Sequence, residues 1–255
     1  ATLVTNTSMS HRLAIVLAAG KGTRMQSDLP KVLCPALGRP MIEYVLDALE
    51  ACGVERTIVV VGYEAAQVEQ ALANRDKVEF ALQAEQHGTG HAVMMCREQL
   101  ASHDGSVLIL AGDSPLVQQD SLRTLLDYYE AHQPACLLGT LTAEDATGLG
   151  RIVRTAAGEF EAIVEHKDAT SEQLLIREVN MSTYLFDSQA LQSALAQLTS
   201  DNSQSEYYLT DCPGILKDQG KAVHALPVLK SCEALSINTV DQLAIVEAEM
   251  RKLGY

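Results

Sequence analysis

No apolar run in this 255-residue chain approaches the roughly 20 residues that a membrane-crossing helix needs. The opening stretch, ATLVTNTSMSHRL, lacks a charged segment followed by an apolar one, so no secretory leader is expected and residues 1–12 read as a flexible lead. Basic residues are scarce, 19 against 33 acidic ones for a net charge of −14, which argues against a basic face able to displace counterions from nucleic acid. None of the six cysteines forms a C-x-x-C pair, and none of the seven histidines belongs to an H-E-x-x-H motif. A zinc site and a disulfide framework are therefore not expected; Cys34, Cys52, Cys96, Cys136, Cys212 and Cys232 read as small buried hydrophobes, and the cytoplasm is the expected location. Hexapeptide repeats of the kind that build a parallel β-helix are also missing. What remains is ordinary globular composition, 47% apolar and 20% charged.

The apolar pattern alternates between strand and helix. Leu13–Ala18, TIVVVGY from Thr57, Val78–Leu82 and SVLILAGD from Ser106 read as strands. Between and after them, MIEYVLDALEACG, Ala65–Ala73, His91 towards Leu100, and SLRTLLDYYEAH read as helices. This order predicts an α/β fold, a Rossmann-like and mainly parallel sheet flanked by helices. After about Ala135 the rhythm changes to successive strand-like segments (ACLLGTL, GRIVRT, GEFEAIVEH, EVNMSTYLF), then a helix near Gln189–Leu198, a helix from Thr210, a short strand AVHALPV and a closing helix VDQLAIVEAEMRKL. One domain over 13–255 is expected, with a first half at 13–134, a β-rich second half at 135–238 and a C-terminal helix at 239–255.

LAAGKGTRM, Leu17–Met25, follows the first strand. A plain strand-to-helix turn with solvated cations is one reading. It is neither a Walker A loop nor a G-x-G-x-x-G fingerprint. Yet glycine-exposed amides at the carboxyl end of a strand, beside Lys21, Arg24 and Lys31, suit a phosphorylated ligand, and a triphosphate best.

LAAGKGTRMQSDLPKVL closely resembles the signature L-x-[AG]-G-x-G-[ST]-R-M-x(n)-P-K of the sugar-1-phosphate nucleotidyltransferases. Within that family, LQAEQHGTGHA, AGDSPL, GRIVR, AIVEHKDA, EVN and SEYYLTD resemble the bacterial branch that uridylylates N-acetylglucosamine 1-phosphate. In bifunctional members a β-helical acetyltransferase domain follows; without hexapeptide repeats, this chain is expected to lack that second activity.

The resemblance implies roles position by position. Leu17, Ala18, Ala19 and Gly20 would offer backbone to uracil and phosphate, and Arg24 and Lys31 would hold phosphate oxygens as the catalytic cations. Gln83 would read the uracil edge, with Gly88, Thr89, Ala111 and Gly112 completing the nucleotide site. Asp113 and Asn238 would hold Mg²⁺, and Gly150, Glu165 and Asn180 would bind the sugar. Competing structural roles are a surface amide for Gln83, a helix cap for Asn238 (or equally Thr239) and an ion pair with Lys167 for Glu165. Tyr207, Tyr208, His87, His91 and His166 read as packing residues. Three positions depart from the family: Ala111 replaces a frequent tyrosine, His87 replaces an apolar residue, and Asn180-Met181-Ser182 replaces the usual N-T-G.

The implied reaction is Mg²⁺-assisted, in-line transfer of a uridylyl group from UTP to N-acetylglucosamine 1-phosphate, releasing pyrophosphate. These two small molecules are the expected partners, with no nucleic acid or membrane, and the oligomeric state is left open. The alternatives are another nucleotide or sugar 1-phosphate, or a catalytically silent nucleotide-sugar sensor.

Overall fold

In the computed structural model, residues 11–22, 25, 27–202, 204–235 and 237–255 are described. Strand β1 (Arg12–Leu17) leads through a 3-10 turn at Lys31–Leu33 to a two-stranded hairpin of β2 (Pro35–Ala36) and β3 (Arg39–Pro40), then α1 (Met41–Ala51), β4 (Arg56–Val61), α2 (Ala65–Ala71) and β5 (Val78–Leu82). Next come α3 (Thr89–Met94), α4 (Arg97–Ala101), β6 (Ser106–Ala111), α5 (Gln119–His132), β7 (Cys136–Thr142), β8 (Arg151–Arg154) and β9 (Phe160–Val164). The last elements are β10 (Glu178–Asp187), α6 (Ser188–Leu195), α7 (Cys212–Asp218), β11 (Val223–Leu226) and α8 (Val240–Leu253).

Seven strands line up in the order β11-β7-β10-β6-β1-β4-β5, with the β8–β9 hairpin branching from β10. β1 pairs in parallel with β4 and β6, β4 with β5, and β7 with β11, whereas β10 runs antiparallel between β6 and β7. The sheet is thus mostly parallel, as the sequence predicts. Its second half enters by insertion, because β10 closes the gap that would otherwise leave β6 and β7 as open edges.

Both faces are covered, which is why the strands read as unbroken apolar runs. Leu13 and Ile15 of β1, Ile58 and Val60 of β4, and Val107 and Ile109 of β6 face one layer with α3, α6 and α7. Ala14 and Val16, Val59 and Val61, and Leu108 and Leu110 face the opposite layer with α1, α2 and α5. α1 buries Ile42, Val45, Leu46 and Leu49 at helical spacing and ends where Gly53 takes φ +75°. The expected helix from His91 towards Leu100 is two helices instead, broken between Met94 and Arg97. All six cysteines are free and buried, and burial alone pushes the Cys96 thiol up to about 12. Among the described residues no helix is long and apolar enough to cross a membrane.

A third cluster matters for the site. Val246 and Met250 of α8 pack with Met41, Tyr44 and Ala36, and the Glu247 carboxylate accepts the Leu37 amide at 2.9 Å. The C-terminal helix is thereby held against the β2–β3 hairpin, close to the turn that carries Lys31.

Candidate active site

The carboxyl ends of β1, β5 and β6 open into a cleft of 330 Å³ bounded by Leu17, Ala18, Ala19, Gly20, Lys31, Gln83, Gly88, Thr89, Ala111 and Asp113, among others. Such a position, beyond the ends of parallel strands, is where open α/β sheets take ligands. The Ala18 amide donates to the Val60 carbonyl at 2.9 Å, and the Ala19 carbonyl accepts from the Tyr63 amide at 3.1 Å and from the Gln86 side chain. The loop backbone is therefore held in place on the sheet. Lys21, the third cation of the motif, lies over the Tyr63 ring. Arg24 lies outside the described residues.

Gly22 explains one glycine of the motif. It has φ +65°, and a Cβ built on it would stand 2.6 Å from Lys31 Cβ, so only glycine lets the loop pass over the lysine. Gly88 is the other. At φ +102° it precedes α3, and a Cβ there would stand 2.6 Å from the Tyr207 carbonyl. Gly112 sits between Ala111 and Asp113, both of which line the cleft. Its amide donates to the Leu17 carbonyl at 2.9 Å, and a Cβ built on it would stand 3.1 Å from that oxygen and from the Val16 and Val32 side chains, so a residue without a side chain lets β6 close against β1 here.

Gln83 is a buried amide with 4% exposure, not a surface one. Its Nε2 donates to the Gly88 carbonyl at 3.1 Å and lies 3.0 Å from His91 Nδ1. Because a carbonyl can only accept, the NH₂ end must face Gly88, which leaves Oε1 as the group offered to a ligand.

Lys31 is the centre of the polar end. Its Nζ donates to Asp113 Oδ2 and, at 2.9 Å, to Asn238 Oδ1. Asn238 does not cap α8. Thr239 Oγ1 takes that role by accepting from the Gln242 amide at 3.2 Å, while Gln242 Oε1 accepts the Asn238 amide at 2.7 Å. One anionic and one neutral oxygen thus converge on a single cationic group. That donor set fits Mg²⁺, a hard cation that keeps few protein ligands and completes its shell with water and phosphate. No cluster of three or more His, Cys, Asp or Glu able to hold a metal occurs among the described residues.

A second chamber of 400 Å³ adjoins the first; both are lined by Leu17, Thr89, Ser182 and Glu206. Gly150, Glu165 and Asn180 meet in it: the Asn180 amide donates to the Gly150 carbonyl at 2.9 Å, and a Cβ on Gly150 would stand 3.7 Å from Glu165 Oε1. Asn180 Nδ2 donates to the Tyr184 hydroxyl at 2.8 Å, a fully buried phenol whose pKa burial raises. Ser182 stands in a bulge of β10 with φ +54°, a strained conformation for a residue with a side chain.

Several lining residues were not expected from the sequence. Ser182, Gln86 and Glu206 line the first chamber, and His166 and Tyr208, read as packing residues, line the second. The signal was present, since all five fall inside quoted segments: Gln86 in LQAEQHGTGHA, His166 in AIVEHKDA, Ser182 in EVNMSTYLF, and Glu206 and Tyr208 in SEYYLTD. Their orientation was not readable there.

Residues 14–211 match the family described as the MobA-like NTP transferase domain, and the chain belongs to that family. It is 46% identical over 241 residues to the bifunctional protein GlmU of Exiguobacterium sp. (strain AT1b), covering 94% of this chain and 53% of the relative. Against the bifunctional protein GlmU of Streptococcus suis the identity is 45% over 244 residues, 96% of this chain and 53% of the relative. The chain thus spans about half the length of the curated relatives it matches. Its fold is that of a UDP-glucose pyrophosphorylase solved with UDP-glucose, at a TM-score of 0.77 and 16% identity over 95% of this chain and 99% of that one.

Proposed function

We propose that this chain transfers the uridylyl group of UTP to N-acetylglucosamine 1-phosphate, giving UDP-N-acetylglucosamine and pyrophosphate. The observation that carries the reading is the pair of joined chambers, one ending in Lys31, Asp113 and Asn238, the other lined by Gly150, Glu165 and Asn180. Similarity to GlmU proteins over nearly the whole chain agrees with the branch its motifs resemble. In this reading residues 13–134 serve the nucleotide, 135–238 the sugar, and 239–255 secure Asn238.

A phosphate oxygen of the sugar 1-phosphate attacks the α-phosphorus of UTP, and the bond to the bridging oxygen of the β-phosphate breaks, releasing pyrophosphate. The attacking oxygen is already anionic, so no protein base is needed. The chain's task is to hold two mutually repelling phosphates in line. Lys31 and Arg24 neutralise the phosphate oxygens, and the backbone from Leu17 to Gly20 seats the nucleotide. Gln83 Oε1 accepts from the N3–H of uracil, a donor that cytosine lacks. Asp113 and Asn238 would hold Mg²⁺, which when bound would supply charge neutralisation at the phosphates. Glu165 accepts from sugar hydroxyls, and Asn180, with Nδ2 turned to Tyr184, adds its remaining polar capacity.

Pyrophosphate release from a panel of nucleoside triphosphates and sugar 1-phosphates tests the reading. The expected pair is UTP with N-acetylglucosamine 1-phosphate. A clear preference for glucose 1-phosphate or another nucleotide would assign a different transferase, and no release with any pair would leave a nucleotide-sugar sensor.

A further inference from the structure

His91 has no part in the chemistry just described, yet its ring touches the residue that reads the base. Gln83 is buried and has two N–H donors on Nε2; one faces the Gly88 carbonyl at 3.1 Å and the other His91 Nδ1 at 3.0 Å. A neutral imidazole with its proton on Nε2 accepts that second bond. We propose that His91 is a positioning residue for base selection: by accepting from Gln83 Nε2 it locks the amide so that Oε1 faces the nucleotide chamber, where it takes bases with a ring N–H donor and penalises those with a ring acceptor. This rests on the UTP reading above.

The lock has a definite failure mode. With His91 protonated, Nδ1–H would meet the Nε2 donors of Gln83. Turning the amide over would relieve that clash only by setting Oε1 against the Gly88 carbonyl, acceptor against acceptor. No orientation satisfies both neighbours, and an unsatisfied buried polar group is costly. The surroundings favour the neutral ring. His87 meets it edge-on at 5.0 Å, and Tyr207 stacks at 6.4 Å. The titratable groups around it are His87 and Glu85 on the preceding loop and Tyr207 with its neighbour Glu206 on the facing segment. Burial, and then the charge of His87, lower the His91 pKa against the opposing pull of Glu85.

The test compares steady-state kinetics of the wild type, H91F and H91N with UTP and with CTP between pH 5.5 and 8. Phenylalanine keeps the ring packing but cannot accept; asparagine can accept through Oδ1 and cannot titrate. H91F is expected to raise the KM for UTP about tenfold with a much smaller change in kcat, and to narrow the preference for UTP over CTP by about the same factor. H91N recovers most of both. For the wild type, the KM for UTP rises as pH falls below the usual imidazole range, and in H91N this rise is flatter, the titration of UTP itself being common to both. Wild-type KM and selectivity in H91F would overturn the proposal. Should H91F fail to fold, an identical acid rise in H91N and the wild type would overturn it. A wild type that releases no pyrophosphate from UTP would overturn the functional reading and this inference together.

Discussion

Lys31 Nζ reaches Asn238 Oδ1 at 2.9 Å across 207 positions of sequence. The first lies on a turn beyond β1 and the second at the entrance to α8, so the polar end of the cleft is complete only when the C-terminal helix docks. Asp113, at the end of β6, is the third member of this group and joins the same ammonium.

Replacing Lys31 by alanine removes the cation that faces both Asp113 and Asn238. Turnover, read as pyrophosphate release, is expected to fall about 10²-fold or more, with little change in melting temperature. The motif predicts the same for Arg24→Ala. Wild-type rates in both variants would end the idea of a phosphate clamp.

Chelation should silence the protein reversibly, with activity returning on addition of Mg²⁺. Asp113→Ala should abolish turnover even in excess Mg²⁺, because Asn238 alone offers one neutral oxygen. Full activity after verified metal removal would contradict this assignment.

Asn180→Ala is expected to act in two places. Efficiency towards the sugar 1-phosphate falls while the KM for UTP holds. Stability drops by about 1–2 kcal/mol, since the fully buried Tyr184 hydroxyl loses the Asn180 amide, one of its hydrogen-bond partners beside Ser182. Chemical denaturation alongside kinetics separates the two; an unchanged preference for N-acetylglucosamine 1-phosphate over glucose 1-phosphate would remove Asn180 from the sugar site.

Glu178 ties the second half of the sheet together. Its carboxylate accepts from Arg154 Nε at 2.6 Å, from Arg154 Nη2 and from Thr140 Oγ1, and Arg154 also reaches the Ala225 carbonyl, linking β7, β8, β10 and β11. Burial by itself would raise the Glu178 pKa, but these hydrogen bonds outweigh it and hold the group below its usual value. A depressed carboxylate adds stability that is fully present above its unfolded pKa, about 4.3, and is lost as pH falls through the lower folded value. Glu178→Gln should therefore cost about 1–2 kcal/mol at pH 7 and flatten the acid loss below pH 4.3. Parallel acid unfolding curves for the two proteins would show that the pair contributes nothing.

The strands and helices of the first half could be read directly from the chain. β1, β4 and β6 are buried on both faces, so their apolar runs are unbroken, and α1 carries its buried residues at helical spacing. The glycine–lysine loop was readable as chemistry through its resemblance to a family signature, since glycine beside cations at a strand exit suits a plain turn equally well. Local pattern could not place β10 between β6 and β7, because direction in a sheet depends on distant strands that compete for the same hydrogen-bonding edge. Nor could it decide whether Asn238 or Thr239 caps α8. Both side chains suit the cap, and it is the docking of α8 on the β2–β3 hairpin that aims Asn238 at Lys31. The same holds for Gln83 and His91. Their residue types permit many hydrogen bonds, and the Gly88 carbonyl, fixed by the fold, selects the one arrangement in which every buried donor meets an acceptor.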